Sequence, residues 1–349
     1  MAKDIFLFVN LGSPDSPSKK DVKKYLDTFL MDPYVIDLAW IWRALLVKGI
    51  ILPFRTPNTS EAYKSIWLKE GSPLVIYTQN MVNKLKKISS YPIYLGMTYG
   101  SLSIEKAIGE IMSDHGEEDV RLNVLPLFPH YAMSTTEAVI AMVKKALKRK
   151  RSSLFFNVVS PFYNDERYIE ALRKSLEGFD LSSYDKVLFS YHGLPVRHLR
   201  KTDPTKKHCF KVSDCCKAES LATETCYRSH VLKTTELLRE KLDLPVDQHM
   251  VTFQSRLGRD EWLTPSTEEV LKELPGKGCK KILLISPSFV ADCLETLEEL
   301  SIRGKEVFFE AGGTKMDVAP CLNEEDFWVE ALNEILKDHC HEVTKSSQI

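Results

Sequence analysis

Eight short apolar runs punctuate the chain: "IFLFV" (5–9), "IYLGM" (93–97), "LNVLPLF" (122–128), "LFFNVV" (154–159), "KVLFSY" (186–191), "MVTFQS" (250–255), "KILLIS" (281–286) and "EVFFEA" (306–311). They are nearly continuous rather than alternating, the pattern of parallel strands buried on both faces. Helix-period segments lie between most of them, for example "SIEKAIGEIMSDHG" (103–116) and "STEEVLKELPG" (266–276). Strand–helix alternation predicts an α/β doubly wound fold.

The runs fall into two sets of four, and the halves echo each other. "FVNLGSP" (8–14) parallels "FSYHGLP" (189–195), and "LPLFPHYAMSTTEAV" (125–139) parallels "LISPSFVADCLETLEEL" (284–300). Each echo is a strand, a turn and a helix start. The pattern predicts two similar Rossmann-like domains, each a four-stranded parallel sheet flanked by helices. We assign 1–165 to the first and 166–320 to the second. "EDFWVEALNEILKDH" (325–339) reads as a helix within a closing segment and tail, 321–349, that packs back on the first domain. Ligands of such sheets sit at the carboxyl ends of the strands. "NLGSP" and "SYHGLP" both fall there, so a cleft between the halves would be lined by both.

Composition narrows the function. The 349 residues are 44% apolar and 27% charged, with a formal net charge of −1. Nothing marks a polyelectrolyte, so nucleic acid is not an expected partner. The start "MAKDIFLFVN" has the form of neither a secretory signal nor a transit peptide, which points to a cytoplasmic, reducing compartment. There is no G-x-G-x-x-G after a strand and no G-x-x-x-x-G-K-[ST], hence no sign of a nucleotide cofactor. The most apolar region, "VIDLAWIWRALLVKGIILPF" (35–54), is interrupted by Asp37, Arg43 and Lys48. A spanning helix needs about 20 mostly uncharged residues. The segment is therefore a buried helix or a surface that touches lipid at the membrane face.

Four of eight cysteines, Cys209, Cys215, Cys216 and Cys226, lie within an insertion spanning 205–227. In a reducing compartment such clustering favours metal over disulfides. Four thiolates suit zinc or a [2Fe–2S] cluster, and the spacing C-x5-C-C-x9-C does not choose between them. His192 ends an apolar run, and Gly193 and Pro195 fix the backbone beyond it. Most single histidines are structural, but this one stands where ligands bind and can exchange a proton near neutral pH. In "ADCLETLEEL" (291–300) a helix would place Asp292, Glu295 and Glu299 on one face. That stripe is either a solvated surface or a set of hard oxygen ligands for a divalent cation. Arg55 and Arg197 are candidates for carboxylate recognition or for surface pairs.

The blocks "VNLGSPDSP", "YLDTFLMDPYVID", "ILPFRTPNTSEAY", "EGSPL", "GMTYGSLSIEKAI", "LPLFPHYAMST", "SYHGLPVR", "FQSRLGRDEWLTPST" and "SFVADCLETLEELSI" resemble, in order, those of the ferrochelatases. The resemblance covers nearly the whole chain. It implies insertion of Fe²⁺ into protoporphyrin IX to form protohaem. His192 would be the pyrrole proton acceptor or a metal ligand. Glu295 would stand across from it, with Asp292 and Glu299 continuing an acidic path. Leu11, Tyr63, Ser72, Tyr99 and Trp262 would line or hold the macrocycle, and 35–54 would be the apolar lip that meets the membrane. Cys293 stands where many relatives carry a histidine. The insertion brings three cysteines that most relatives lack; some bacterial ferrochelatases hold an internal [2Fe–2S] cluster, so the resemblance favours that cofactor over zinc. Other readings are a chelatase for coproporphyrin III or sirohydrochlorin, a non-catalytic porphyrin or haem carrier, and an iron–sulfur sensor.

Overall fold

The computed structural model describes residues 3–346 apart from 257 and 259, with side chains of the last helix described to residue 341. The predicted tail ends in residues 347–349, which lie outside the described residues. The chain divides into two compact units, one of 1–128, 133–161 and 324–349, the other of 129–132 and 162–323.

In the first unit β1 (Lys3–Asn10), β2 (Ile93–Met97), β3 (Val120–Pro126) and β4 (Phe156–Val158) form a parallel sheet of order β2-β1-β3-β4. In the second, β5 (Lys186–His192), β6 (His249–Gln254), β7 (Lys281–Ile285) and β8 (Lys315–Val318) repeat it as β6-β5-β7-β8. The central strands carry the continuous apolar runs because helices cover both their faces. On one side of the first sheet, Ile5, Leu7 and Val9 pack with Ile108, Ile111, Val139 and Val143 from two helices. The helix Ile104–His115 starts where Ser103 accepts a hydrogen bond from the Lys106 amide, and stops at Gly116 with φ +69°. The long helix Asp326–Ser346 belongs to the first unit. Lys84 holds its start, at 2.7 Å from Asp326 and 2.8 Å from the Glu324 carbonyl.

One predicted strand is a helix. Residues 306–311, expected as the eighth strand, lie in the helix Lys305–Glu310 and its end, while β8 is formed by "KMDV". Leu300, Gly304 and Phe308 are all buried at four-residue spacing, which is a helix face. β8 is an edge strand and so lacks the two-sided apolar run. Gly313 makes the turn between them, since a Cβ there would meet the Phe308 ring at 2.2 Å.

The echo between halves extends to their helices. After β3 and after β7 the chain enters a π-helix, Met133–Glu137 and Glu295–Gly304. Another, Leu45–Ile51, lies in the predicted lip. Segments of this kind concentrate at functional sites.

Both central strands also end in the same glycine device. Beyond β1, Gly12 has φ +92°, and a Cβ on it would stand 1.9 Å from the Tyr99 carbonyl oxygen. Beyond β5, a Cβ on Gly193 would stand 2.7 Å from the Gln254 carbonyl oxygen. Replacing Gly12 with Ala should cost more than about 2 kcal/mol in urea unfolding, while Gly178→Ala, with open space around it, should stay within about 0.5 kcal/mol. Equal effects of the two changes would remove the constraint assigned to Gly12.

Candidate active site

His192 is the last residue of β5, in register with Gln254 at the end of β6. Its Nδ1 lies 2.7 Å from the Gly193 carbonyl oxygen. A carbonyl can only accept, so Nδ1 carries a proton, and in the neutral form of the ring the basic lone pair is on Nε2. The Gly193 amide donates to Gln254 O at 2.7 Å, and the Tyr227 hydroxyl donates to His192 O at 2.9 Å. Pro195 pairs with Trp262, the Val196 amide donates to Glu261 O at 2.8 Å, and the Leu263 amide to Leu194 O at 3.0 Å. The turn that carries the histidine is thus bonded on several sides. Phe289, from the loop after β7, sets its ring edge-on at 6.4 Å from the imidazole.

The expected acidic stripe is arranged differently. Asp292 precedes the helix and is buried, with all its acceptor capacity directed inward. Oδ1 accepts from Thr296 Oγ1 at 2.8 Å; Oδ2 accepts from Asn323 Nδ2 at 2.8 Å and from the Cys321 amide at 3.3 Å. It anchors the start of the π-helix and lies outside the segment that carries the glutamates. Glu295 and Glu299 both lie in the segment Glu295–Gly304, which bonds i→i+5, whereas Asp292 lies before it. Glu295 and Glu299 are half-buried. The Glu299 carboxylate accepts from Ser255 Oγ and lies 3.4 Å from Arg303. Ser255 follows β6 with φ +65°, an uncommon backbone for a non-glycine residue. Glu298, next to the predicted set, is the more buried and pairs with Arg303 at 2.8 Å. The Cys293 thiol donates to the Glu295 carboxylate; burial, with the Glu295 charge beside it, pushes that thiol well up.

At the corresponding end of the first sheet, Leu11 is half-buried. Its amide donates to Asn10 Oδ1 at 2.8 Å, and its carbonyl accepts from the Tyr99 amide at 2.9 Å. Ser72 Oγ donates to Ser13 Oγ at 2.7 Å. Tyr99 is only 1% exposed, and its hydroxyl donates to Asp32 at 3.0 Å. Burial and the Asp32 charge push its phenol far above the usual range. Tyr63 meets Tyr25 edge-on at 6.4 Å and Trp67 at 6.0 Å. Within the unit, Tyr63, Ser72 and Tyr99 back the strand end rather than stand free on it. Trp262, in the second unit, is likewise buried against its own turn.

The four clustered cysteines gather. Cys209 and Cys216 donate to the Cys226 sulfur, which holds Cys226 well below the ordinary thiol range; Cys215 lies within their electrostatic reach. Among the described residues, no three His, Cys, Asp or Glu side chains yet stand at metal-ligand spacing. Asp203 organises the loop entry, accepting from the amides of Thr205, His208 and Cys209 at 2.8, 2.9 and 3.0 Å. These bonds hold its carboxyl well below the usual range, against the opposing effect of burial. Phe210 lies under the Arg200 and Arg228 guanidiniums, at 5.8 and 5.5 Å. Arg197, a carboxylate-binding candidate, pairs with Asp260 on the surface.

In 35–54 the polarity is inverted. Arg43 is 6% exposed and donates to the carbonyls of Ile36 and Leu38 at 3.1 and 2.8 Å. Trp42 is 66% and Phe54 78% exposed, with Trp40, Ile41, Leu45 and Ile50 also open to solvent. No helix among the described residues is long and apolar enough to cross a membrane.

Sequence reasoning missed Tyr227, Ser255, Cys293 as a partner of Glu295, and Asp203. Tyr227 and Ser255 act through contacts with residues far along the chain, while Asp203 and Cys293 act through residues a few positions away.

The two four-stranded parallel sheets give the chain the fold seen in solved chelatase structures. A Bacillus subtilis SirB structure with Fe³⁺ aligns at TM-score 0.51 and 13% identity, covering 96% of this chain and 95% of that one. A cobalt complex of the sirohydrochlorin chelatase SirB from Bacillus subtilis subspecies spizizenii aligns at 0.54 and 11%, covering 96% and 94%. At such identities the likeness is one of fold. The sequence profile of the ferrochelatases matches residues 3–340. The chain is 46% identical over 334 residues to a ferrochelatase of Pseudomonas fluorescens, covering 95% of this chain and 97% of the relative. It is 46% identical over 329 residues to that of Opitutus terrae, covering 93% and 94%. The chain belongs to the ferrochelatase family, whose activity is insertion of Fe²⁺ into protoporphyrin in haem synthesis.

Proposed function

We propose that this chain converts protoporphyrin IX and Fe²⁺ to protohaem and two protons, with His192 as the pyrrole proton acceptor. The observation that carries the assignment is the Nδ1 hydrogen bond to the Gly193 carbonyl, which leaves Nε2 as the basic nitrogen. Two N–H bonds break, four Fe–N bonds form, and no electron is transferred. A flat macrocycle keeps its nitrogen lone pairs in plane, so a rigid site that holds the ring bent directs binding free energy into distortion. The clamped turn suits that demand, with Leu11, Tyr63, Ser72, Tyr99 and Trp262 as contacts or backing for the ring. Glu295 and Glu299 accept the cation as it sheds water and receive the second proton. Asp292 acts as the fixed foot of this path.

Cys209, Cys215, Cys216 and Cys226 would hold a [2Fe–2S] cluster. Four thiols on one loop, three of them joined by hydrogen bonds and one of these held toward the thiolate, are the donor set such a group requires. A bound cluster supplies a redox-active crosslink, and no step of the insertion passes through it. The exposed aromatic and aliphatic face of 35–54 suits insertion into the interfacial zone of a bilayer.

His192→Ala should lower turnover by about 10²–10⁴-fold, read anaerobically as metalloporphyrin absorption, with porphyrin binding retained. Retained turnover would remove His192 from the role. In the purified native protein a visible cluster spectrum is expected, and Cys216→Ser should bleach it; a colourless protein holding one zinc overturns the iron–sulfur assignment. Replacing Trp40 and Trp42 together by Ser should weaken partitioning onto phosphatidylglycerol-containing vesicles by about ten-fold or more. Equal partitioning of the native and double-substituted proteins counts against the lip.

A further inference from the structure

We propose that Tyr227 is a positioning residue that couples the four-cysteine loop to His192. The inference rests on the roles given above to His192 and to the cysteine loop.

Tyr227 opens the helix Tyr227–Lys241, and the residue before it, at the N-cap, is Cys226. The Cys226 sulfur gathers Cys209 and Cys216, and its carbonyl accepts from the His230 amide at 3.1 Å. The Tyr227 phenol is buried. Its single hydrogen goes to His192 O at 2.9 Å, so the contact with Ser288 Oγ at 3.0 Å has Ser288 as donor. One hydroxyl therefore ties the turn after β5 to the loop after β7, from a helix whose start the cysteine loop holds.

The bond to His192 has a particular consequence. The His192 carbonyl and the Gly193 N–H belong to one planar peptide unit. Tyr227 holds it at the oxygen, and Gln254 O holds it at the hydrogen, 2.7 Å from the Gly193 nitrogen. The imidazole is bonded to the next carbonyl along, that of Gly193. With both ends clamped, the peptide plane and the ring hung from it have one orientation. With the phenol bond gone, the plane can rock about the remaining bond, and Nε2 moves with it. Consecutive Cα atoms are 3.8 Å apart, so a displacement of Cys226 is passed directly to Tyr227. The cysteine loop thereby becomes part of the mount of His192, whichever metal it holds.

The test uses the full chain. Tyr227→Phe keeps the ring and removes the bond. Its kcat should fall at least five-fold, with KM for protoporphyrin and for Fe²⁺ within two-fold of native. Cys216→Ser should lower kcat in the same way, and the double variant should be no worse than the poorer single variant, because both changes release the same clamp. Native kcat in Tyr227→Phe, a loss confined to KM, or single effects that multiply in the double variant each overturn the coupling. His192→Ala, measured alongside, separates the levels. If it retains turnover, the reading of the site fails and the coupling with it; if it is inactive beside a fully active Tyr227→Phe, the coupling alone fails.

Discussion

The site depends on a close approach between two backbones at the carboxyl end of a central strand. Beyond β5 the chain runs so near the end of β6 that the Gly193 amide donates directly to Gln254 O, and a Cβ in its place would touch that oxygen. Only glycine fits, and fitting glycine puts His192 at the last paired position of the strand. The first sheet applies the same constraint through Gly12 and the Tyr99 carbonyl, and so places Leu11. Two strand ends of the same topology thus present different chemistry, an imidazole in one and an aliphatic side chain in the other. The fold supplies the mount, and the residue before the glycine decides what is mounted.

The opposite economy governs 35–54. An interior guanidinium and exterior tryptophans invert the usual partition between core and water. The interior charge is accommodated because Arg43 meets carbonyl oxygens left over where the chain bends into the helix. The exterior aromatics have no such compensation in water. Seven large apolar side chains of this one segment, from Leu38 to Phe54, are exposed. The segment is divided: Ile36, Val47 and Leu52 are buried in the core, while Trp40, Trp42 and Phe54 are exposed.

The strands were legible where burial is two-sided. The central strands read as unbroken apolar runs because helices cover both faces. β8, at a sheet edge, has no such run, and its place was taken in the reading by 306–311, whose apolar residues belong to a helix face. The site was legible to the extent that its residues are local. His192 and its glycine are adjacent in sequence, and the cysteines declare themselves by clustering. Asp292 lies before the helical segment, so the α-helical spacing that grouped it with the glutamates does not extend to it. Tyr227 and Ser255 carry no local signal at all. A tyrosine that opens a helix 35 residues after His192 becomes meaningful only when β5 and that helix are packed together.

The cysteine loop is shaped by contacts within the chain itself. Its turns at Lys206, Phe210 and Asp214 have positive φ, a backbone these residue types adopt at a cost. Asp203 offsets part of that cost by collecting three amides at the loop entry, and Phe210 adds contacts with two guanidiniums. Two thiols, those of Cys209 and Cys216, converge on Cys226 and favour its thiolate form. A metal centre that takes up these sulfurs must release their remaining protons, and the one already disfavoured is that of Cys226, the residue that caps the helix of Tyr227. That sulfur is one peptide bond from the tyrosine whose hydroxyl is hydrogen-bonded to the histidine turn.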